Sequence, residues 1–265
     1  MNLEYEVIGD PSAPPLLLIM GLAAQMIVWP DELCRMLADR GFCVVRFDNR
    51  DVGLSTKPET GYTLDDMADD SAGLLDALGL GSAHVVGASM GGYIAQLLAI
   101  RHPARVRSLC IIMSSTGSRA VGLPQPDLLP MLLQPLAADR QGYVAQRMHI
   151  ARRIASPGFG FDEARSLDVI GRAWDRCFFP LGGQRQLAAV MAAGDRTAAL
   201  GDVRTPTLVL HGADDPLVHV SGGEALARAI AGARLRVFPG MAHDLPSDLW
   251  PTIVEAIADN ARRDG

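Results

Sequence analysis

Lysine is nearly absent from this chain of 265 residues: Lys57 is the only one among 24 basic side chains, and all the others are arginine. We read that bias as one of genome composition rather than of function. Acidic side chains outnumber the basic ones, 30 to 24, for a net charge of −6. That balance gives no electrostatic case for nucleic acid or an anionic membrane as partner. Long apolar runs are also missing, and the stretch over residues 14–20 is far too short to span a bilayer. The opening Met1-Asn2-Leu3-Glu4-Tyr5-Glu6 lacks the basic stretch of a secretory signal. The cysteines Cys34, Cys43, Cys110 and Cys177 show no CxxC spacing, which reads as buried thiols in a reducing compartment. Together these absences lead to the expectation of a cytoplasmic globular protein with neither nucleic acid nor membrane as partner.

What is present is apolar content, 49% of the chain. A chain of this size buries a real core without disulfides or a structural metal. The runs Leu16-Leu17-Leu18-Ile19-Met20, Phe42-Cys43-Val44-Val45-Arg46-Phe47, Ala83-His84-Val85-Val86-Gly87 and Val106 to Met113 read as strands. Helical spacing over 31–40, 63–78 and 90–101 separates them, and residues 3–8 form a shorter strand before them. Alternation of this kind predicts a mostly parallel, doubly wound α/β sheet. It breaks over residues 117–201, where no convincing strand occurs and prolines interrupt helical patches. Order resumes with the strand Thr207 to His211, a helix around 221–231, the strand Arg234 to Phe238 and a helix from about Asp248. The expected organisation is therefore one core domain, 1–116 with 202–265, and a helical cap over 117–201.

Gly87-Ala88-Ser89-Met90-Gly91 fits G-x-S-x-G between a buried strand and a helix, the placement of a nucleophile elbow. The alternative is a glycine-rich turn with an incidental serine. A serine at neutral pH needs a general base, and the base needs an orienting carboxylate. Of six histidines, His84 reads as packing, His102 as a helix C-terminal cap and His211 as core, while His219 is ambiguous. His243 follows the last strand, at the strand end where open α/β sheets place their sites. The loop His211-Gly212-Ala213-Asp214-Asp215-Pro216 offers two carboxylates, and residues 114–118 offer none. Either aspartate is compatible with the spacing, and an Asp-Asp-Pro turn also has a use for one of them in the turn itself. The order Ser89, Asp215, His243 is that of the α/β-hydrolase arrangement. The oxyanion donors expected from such an elbow are the backbone N–H of Met90 and that of Leu22, after the first buried strand.

On these segments the chain resembles α/β-hydrolase-fold serine hydrolases over essentially its whole length. The matching pieces are Ile19-Met20-Gly21-Leu22, Phe47-Asp48-Asn49-Arg50-Asp51-Val52-Gly53-Leu54-Ser55, Gly87 to Gly92, Asp215-Pro216-Leu217-Val218 and Gly240-Met241-Ala242-His243. Within that family it is similar to bacterial esterases of the aclacinomycin methylesterase type, which share the Trp29-Pro30-Asp31-Glu32 neighbourhood and the His-x-Leu-Pro ending at His243 to Pro246. The resemblance favours Asp215, because the acid commonly precedes a Pro-hydrophobic pair. Met20-Gly21 replaces the usual His-Gly and leaves the backbone donor intact. Serine as nucleophile disfavours dehalogenase and epoxide hydrolase chemistry, which uses aspartate. Asp244 stands where meta-cleavage C–C hydrolases commonly carry tryptophan. Asp48 and Arg50 read as holding loops near the site.

Residues 117–202 carry ten arginines against eight acids and many large apolar residues. Most of these pack the cap onto the sheet, and Met131, His149, Trp174 and Phe178 are the candidates for a pocket wall. The expected activity is hydrolysis of a carboxylic ester of moderate size and hydrophobic character, a small-molecule substrate, with no metal and no organic cofactor. The same residues suit a lactonase, a C–C hydrolase or a cofactor-free perhydrolase, and a ligand-binding module on this scaffold is the reading from another class. Nothing in the sequence specifies an oligomeric state.

Overall fold

The computed structural model of the protein describes residues 1–264. The strands are β1 (Tyr5–Ile8), β2 (Pro15–Ile19), β3 (Cys43–Phe47), β4 (Ala83–Ala88), β5 (Val106–Ile112), β6 (Thr207–Gly212) and β7 (Arg234–Phe238). They form one seven-stranded sheet in the order β1-β3-β2-β4-β5-β6-β7. Only β1 runs antiparallel, against β3; the remaining pairs are parallel. β4 and β6 are buried along their whole length, which is why their sequences are continuous apolar runs rather than alternations. β7 is an edge, with four of its five residues exposed. Its Arg234 and Arg236 put charge on a ladder that would otherwise invite another strand.

Successive residues of a strand point to opposite faces, so each run feeds two cores. Leu17, Ile19, Val85, Leu109, Ile111 and Val209 pack with α2 (Leu64–Ala77), α3 (Met90–Arg101) and α9 (Ser221–Ala229). Leu16, Leu18, Val86, Ile112, Leu208 and Leu210 pack with α1 (Asp31–Asp39) and α10 (Trp250–Ala261). Each fully buried Leu or Ile contributes about 1.5–3 kcal/mol, so the two faces together dominate the stability of the body. Local chemistry sets the helix ends. Thr63 and Asp66 form a reciprocal capping box at the start of α2, Thr63 N–H to Asp66 at 2.8 Å and Asp66 N–H to the Thr63 hydroxyl at 3.2 Å. All four cysteines are free thiols; burial pushes Cys34 up to about 11, and Cys110 is raised by burial as well.

The strand order reverses at β2, which has β3 on one side and β4 on the other. The crevice outside the C-terminal ends of β2 and β4 is thus the topological switch point, where ligands of open α/β sheets bind.

Between β5 and β6 the chain forms α4 (Leu128–Leu133), α5 (Arg140–Ile154), α6 (Glu163–Arg176), α7 (Pro180–Ala192) and α8 (Thr197–Leu200), with no strand. This segment leaves and re-enters the body at one neck. Arg196 N–H donates to Thr116 O at 2.9 Å, and a Cβ on Gly117 would lie 2.2 Å from Gly194 O. The Arg196 guanidinium stacks on Tyr93 at 4.3 Å.

Polar ties fasten the helices to the loops after β2 and β3. Gln25 donates to Ala173 O at 2.7 Å and Cys177 O at 3.1 Å. Gln186 accepts from Ala23 N–H and donates to Arg50 O, both at 2.8 Å. Asp48, with no exposed surface, accepts from Met26 N–H at 2.8 Å, Leu54 N–H at 2.9 Å and Arg176 at 2.5 Å. Its neighbour Arg50 pairs with Asp70 at 2.6 Å. Asp48→Ala removes one partner of a buried pair and strands two backbone donors, so it is expected to destabilise the protein by about 3–5 kcal/mol. A lower urea midpoint at unchanged slope measures this; an unchanged midpoint contradicts it.

Candidate active site

Ser89 joins β4 to α3 with φ 55° and ψ −120°, a left-handed backbone that a non-glycine residue adopts only where its surroundings enforce it. The surroundings are the two glycines of the motif. A Cβ on Gly87 would lie 2.2 Å from Gly91 O, and one on Gly91 would lie 2.1 Å from Ile19 O. Any side chain at either position pushes strand and helix apart and relaxes the turn. The Ser114 hydroxyl braces it from the side by donating to Ser89 O at 2.8 Å. The result is a half-buried hydroxyl at the N-terminus of α3.

His243 comes from the loop after β7, and its Nε2 lies 3.1 Å from Ser89 Oγ. Its Nδ1 lies 2.7 Å from Asp215 Oδ2. A carboxylate only accepts, so Nδ1 carries the proton and Nε2 is left to accept from the serine. Asp215 Oδ1 takes the N–H groups of Leu217 and Val218, each at 2.8 Å. Asp214 points elsewhere and accepts from Gly240 N–H at 2.8 Å. The adjacent aspartates thus divide, one at the histidine and one holding the histidine loop.

Of the other histidines, His211 is fully buried beside Asp215, with its Nε2 donating to Val218 O at 2.7 Å. Burial lowers its pKa, which favours the neutral ring. His84 meets Ser108 at 2.9 Å and Phe42 edge-on. His102 caps α3 and meets Asp69 at 2.7 Å. His219 pairs locally with Ser221 at 2.9 Å.

The loop after β2 lies against the elbow, since a Cβ on Gly21 would be 3.1 Å from Ser89 Cβ. Asn49 holds that loop by donating to Met20 O at 2.9 Å, and Gln186 holds Ala23 as described. Among the described residues the N–H groups of Leu22 and Met90 donate to no protein acceptor. Two backbone donors, in the loop after β2 and in the residue after Ser89, are therefore left without a protein acceptor among the described residues.

Beside this loop lies a cavity of about 40 Å³ lined by Ala23, Gln25, Val52, Tyr143, Arg147 and Phe178 among others. Trp174 stacks behind it, 3.9 Å from Phe178 and 5.2 Å from Tyr143 between ring centroids. Of the four pocket candidates Phe178 lines this cavity, which Ser89, Asp215 and His243 do not line. Met131, half-buried on α4, and His149, exposed on α5, do not. Tyr143 and Arg147, one turn apart on α5, do, and their spacing of four was the available sign that they share a face. Asn49, Gln186, Ser114 and Ser156 carry no periodic signal and emerge only from the contacts. Asp244, next to His243, accepts from the Ser156 hydroxyl; burial raises its pKa and Ser156's hydroxyl and backbone partly offset this.

Among the described residues no group of three or more His, Cys, Asp or Glu side chains is arranged to hold a metal, and no helix is long and apolar enough to cross a membrane. What the geometry can do is move a proton from the Ser89 hydroxyl to the His243 imidazole.

The sequence matches the alpha/beta hydrolase fold family over residues 14–248. It is 31% identical to rhodomycin D methylesterase DauP of a Streptomyces species, covering 99% of this chain and 95% of that protein. It is 27% identical to 3-oxoadipate enol-lactonase 2 of Acinetobacter baylyi, covering 89% and 84%. Among solved structures, a hydrolase from Pseudomonas aeruginosa superposes with a TM-score of 0.78 at 27% identity, over 97% of this chain and 93% of that one.

Proposed function

The chain belongs to the alpha/beta hydrolase fold family, and from that premise we propose that it is a serine hydrolase cleaving a carboxylic ester of a moderately sized hydrophobic substrate through an acyl-enzyme. The observation that carries this is the hydrogen-bonded line from Ser89 Oγ to His243 at 3.1 Å and on to Asp215 at 2.7 Å, with Ser89 on a strained elbow. Similarity to a methylesterase along both chains supports the ester as substrate.

In this mechanism Ser89 Oγ attacks the ester carbonyl while His243 Nε2 takes its proton. Asp215 keeps the proton on Nδ1 and stabilises the imidazolium. The carbonyl oxygen becomes an oxyanion held by the N–H groups of Leu22 and Met90, each such donor being worth about 2.7–4 kcal/mol. Collapse of the adduct breaks the C–O bond, and His243 gives its proton to the departing alkoxide, releasing the alcohol. Water then attacks the acyl-enzyme with His243 again as base, the ester bond to Ser89 breaks, and the serine recovers its proton as the acid leaves.

Residues 117–201 act as a cap, and the aromatic wall of Tyr143 and Phe178 receives the apolar part of the substrate. Arg147 lines the same wall and forms no ion pair with any described residue. The free thiols fit a reducing, cytoplasmic location. A cyclic ester needs no change of chemistry, so lactonase activity is the second reading, supported by the similarity to an enol-lactonase.

A fluorophosphonate probe is expected to label Ser89 and no other residue, as read by peptide mass spectrometry. Rates over a panel of esters, lactones and vinylogous diketones then rank the substrate class. Binding of a small apolar ligand without labelling or turnover sinks the hydrolase and leaves a binding module.

A further inference from the structure

The segment over residues 154–158, which begins at the last residue of α5, is laced to the histidine loop by four hydrogen bonds. Ile154 O accepts from His243 N–H at 3.0 Å, and Gly158 N–H donates to Gly240 O at 2.9 Å. Between them, Ser156 Oγ accepts from Ala242 N–H at 2.8 Å and its hydroxyl donates to Asp244 Oδ1. The two backbones touch, since a Cβ on Gly158 would lie 2.6 Å from Gly240 Cα. Ser156 is itself buried, at 4% exposure.

The pattern is specific. Three consecutive residues, Ala242, His243 and Asp244, are each bonded to the 154–156 stretch. Among the described residues the backbone N–H groups of Ala242 and His243 have no other acceptor. One hydroxyl therefore bridges the residues before and after His243, as acceptor on one side and donor on the other. The imidazole must reach Ser89 and Asp215 together, on opposite ring nitrogens. Asp214 ties the start of this loop through Gly240, and the bridge holds the stretch on either side of His243 itself, between the end of β7 at Phe238 and the start of α10 at Trp250.

We propose that Ser156, through Ala242 and Asp244, is a positioning residue that holds His243 at the reach its proton transfer requires. This deepens the proposed mechanism and rests on His243 acting as its base. It also gives a use to Asp244, the residue that follows His243. Alanine at 156 would leave an amide and a carboxylate without their partner in a buried site, and the freed loop would hold the ring less well.

The test compares wild type with Ser156→Ala, Ser156→Thr and Asp244→Ala on p-nitrophenyl butyrate and on fluorophosphonate labelling, with thermal unfolding measured in parallel. For Ser156→Ala, kcat and the labelling rate are expected to fall about 10- to 100-fold, the size of a small misplacement, with KM changed by less than about threefold. Ser156→Thr, which keeps the hydroxyl, is expected to recover most of the loss. Wild-type rates in Ser156→Ala, a loss that merely tracks the unfolded fraction, or no recovery with threonine overturns the assignment. Where Ser156→Ala does not fold, Asp244→Ala carries the test: a loss of about tenfold in kcat supports the bridge, and an unchanged kcat overturns it.

A readout independent of turnover separates this inference from the function beneath it. The His243 Nδ1 proton, bonded to Asp215, is expected to give one sharp low-field NMR line in wild type and a broadened or doubled line in Ser156→Ala. An unchanged line overturns the positioning role while leaving the hydrolase standing. A His243→Gln protein that labels as fast as wild type overturns both.

Discussion

Replacing Ser89 with alanine is expected to lower kcat by about 10⁶-fold, the scale seen when a serine nucleophile of this kind is removed, with little change in substrate affinity. The size follows from what remains. In the proposed mechanism the amides of Leu22 and Met90 and the binding of substrate are untouched by the substitution, so a residual rate about 10³- to 10⁴-fold above water is expected to survive. The covalent route is closed, because His243 Nε2 has no hydroxyl to deprotonate other than that of water. Stability is expected to change little. Ser89 is half-buried, its hydroxyl pairs among the described residues only with His243, and alanine at φ 55° meets the same backbone strain as serine. Single-turnover kinetics with a chromogenic ester give the rate, and the melting temperature gives the control. Activity within tenfold of wild type would falsify the acyl-enzyme mechanism.

The second large effect separates the two adjacent aspartates. Asp215→Asn is expected to reduce kcat by about 10⁴-fold near neutral pH. An asparagine amide donates where the carboxylate accepted, so the histidine proton moves to Nε2, the nitrogen that must receive the serine proton. The loop itself keeps its shape, since the Oδ1 that accepts from Leu217 and Val218 is retained. Asp214→Asn changes nothing at the histidine. It weakens a single bond, to Gly240 N–H, and is expected to cost about 1 kcal/mol of stability or less with kcat near wild type. Steady-state kinetics on both variants, paired with urea melts, read the contrast. Equal losses in the two variants would contradict the assignment of Asp215 as the acid.

That contrast also marks where sequence reading ends. The parallel sheet was legible because strands buried on both faces have no choice but to be continuously apolar, as in Val85-Val86 and Leu16 to Ile19. The elbow was legible because Gly87 and Gly91 tolerate no Cβ. Asp214 and Asp215 could not be separated from spacing alone. They occupy one turn, and only the course of the 238–243 loop decides which of them meets the imidazole. The cap was less legible still. Which face of α5 or α6 looks inward depends on what it packs against, so His149 lies exposed while Tyr143 and Arg147 line the cavity. Ser156 sits in an aperiodic turn after a helix, where a serine is unremarkable until its partners are known. Gln25, Asn49 and Gln186 are of the same kind: polar side chains whose task is to hold backbone far away in the chain.

The neck at Thr116 and Arg196 bears on how this enzyme family diversifies. Because the inserted helices begin and end at one point, their length is nearly free of topological consequence: doubling such an excursion adds only about 0.6 kcal/mol of closure entropy. Evolution or an engineer can thus swap the whole excursion as a cassette without disturbing the register of β5 and β6. The exchange is constrained instead by what the cassette grips. Residues corresponding to Gln25, Asp48 and Asp244 belong to the body, while their partners Ala173, Arg176 and Ser156 belong to the insert. A chimera that transplants the insert alone is expected to inherit a new pocket and a loosened histidine; one that carries the matching body residues with it keeps both.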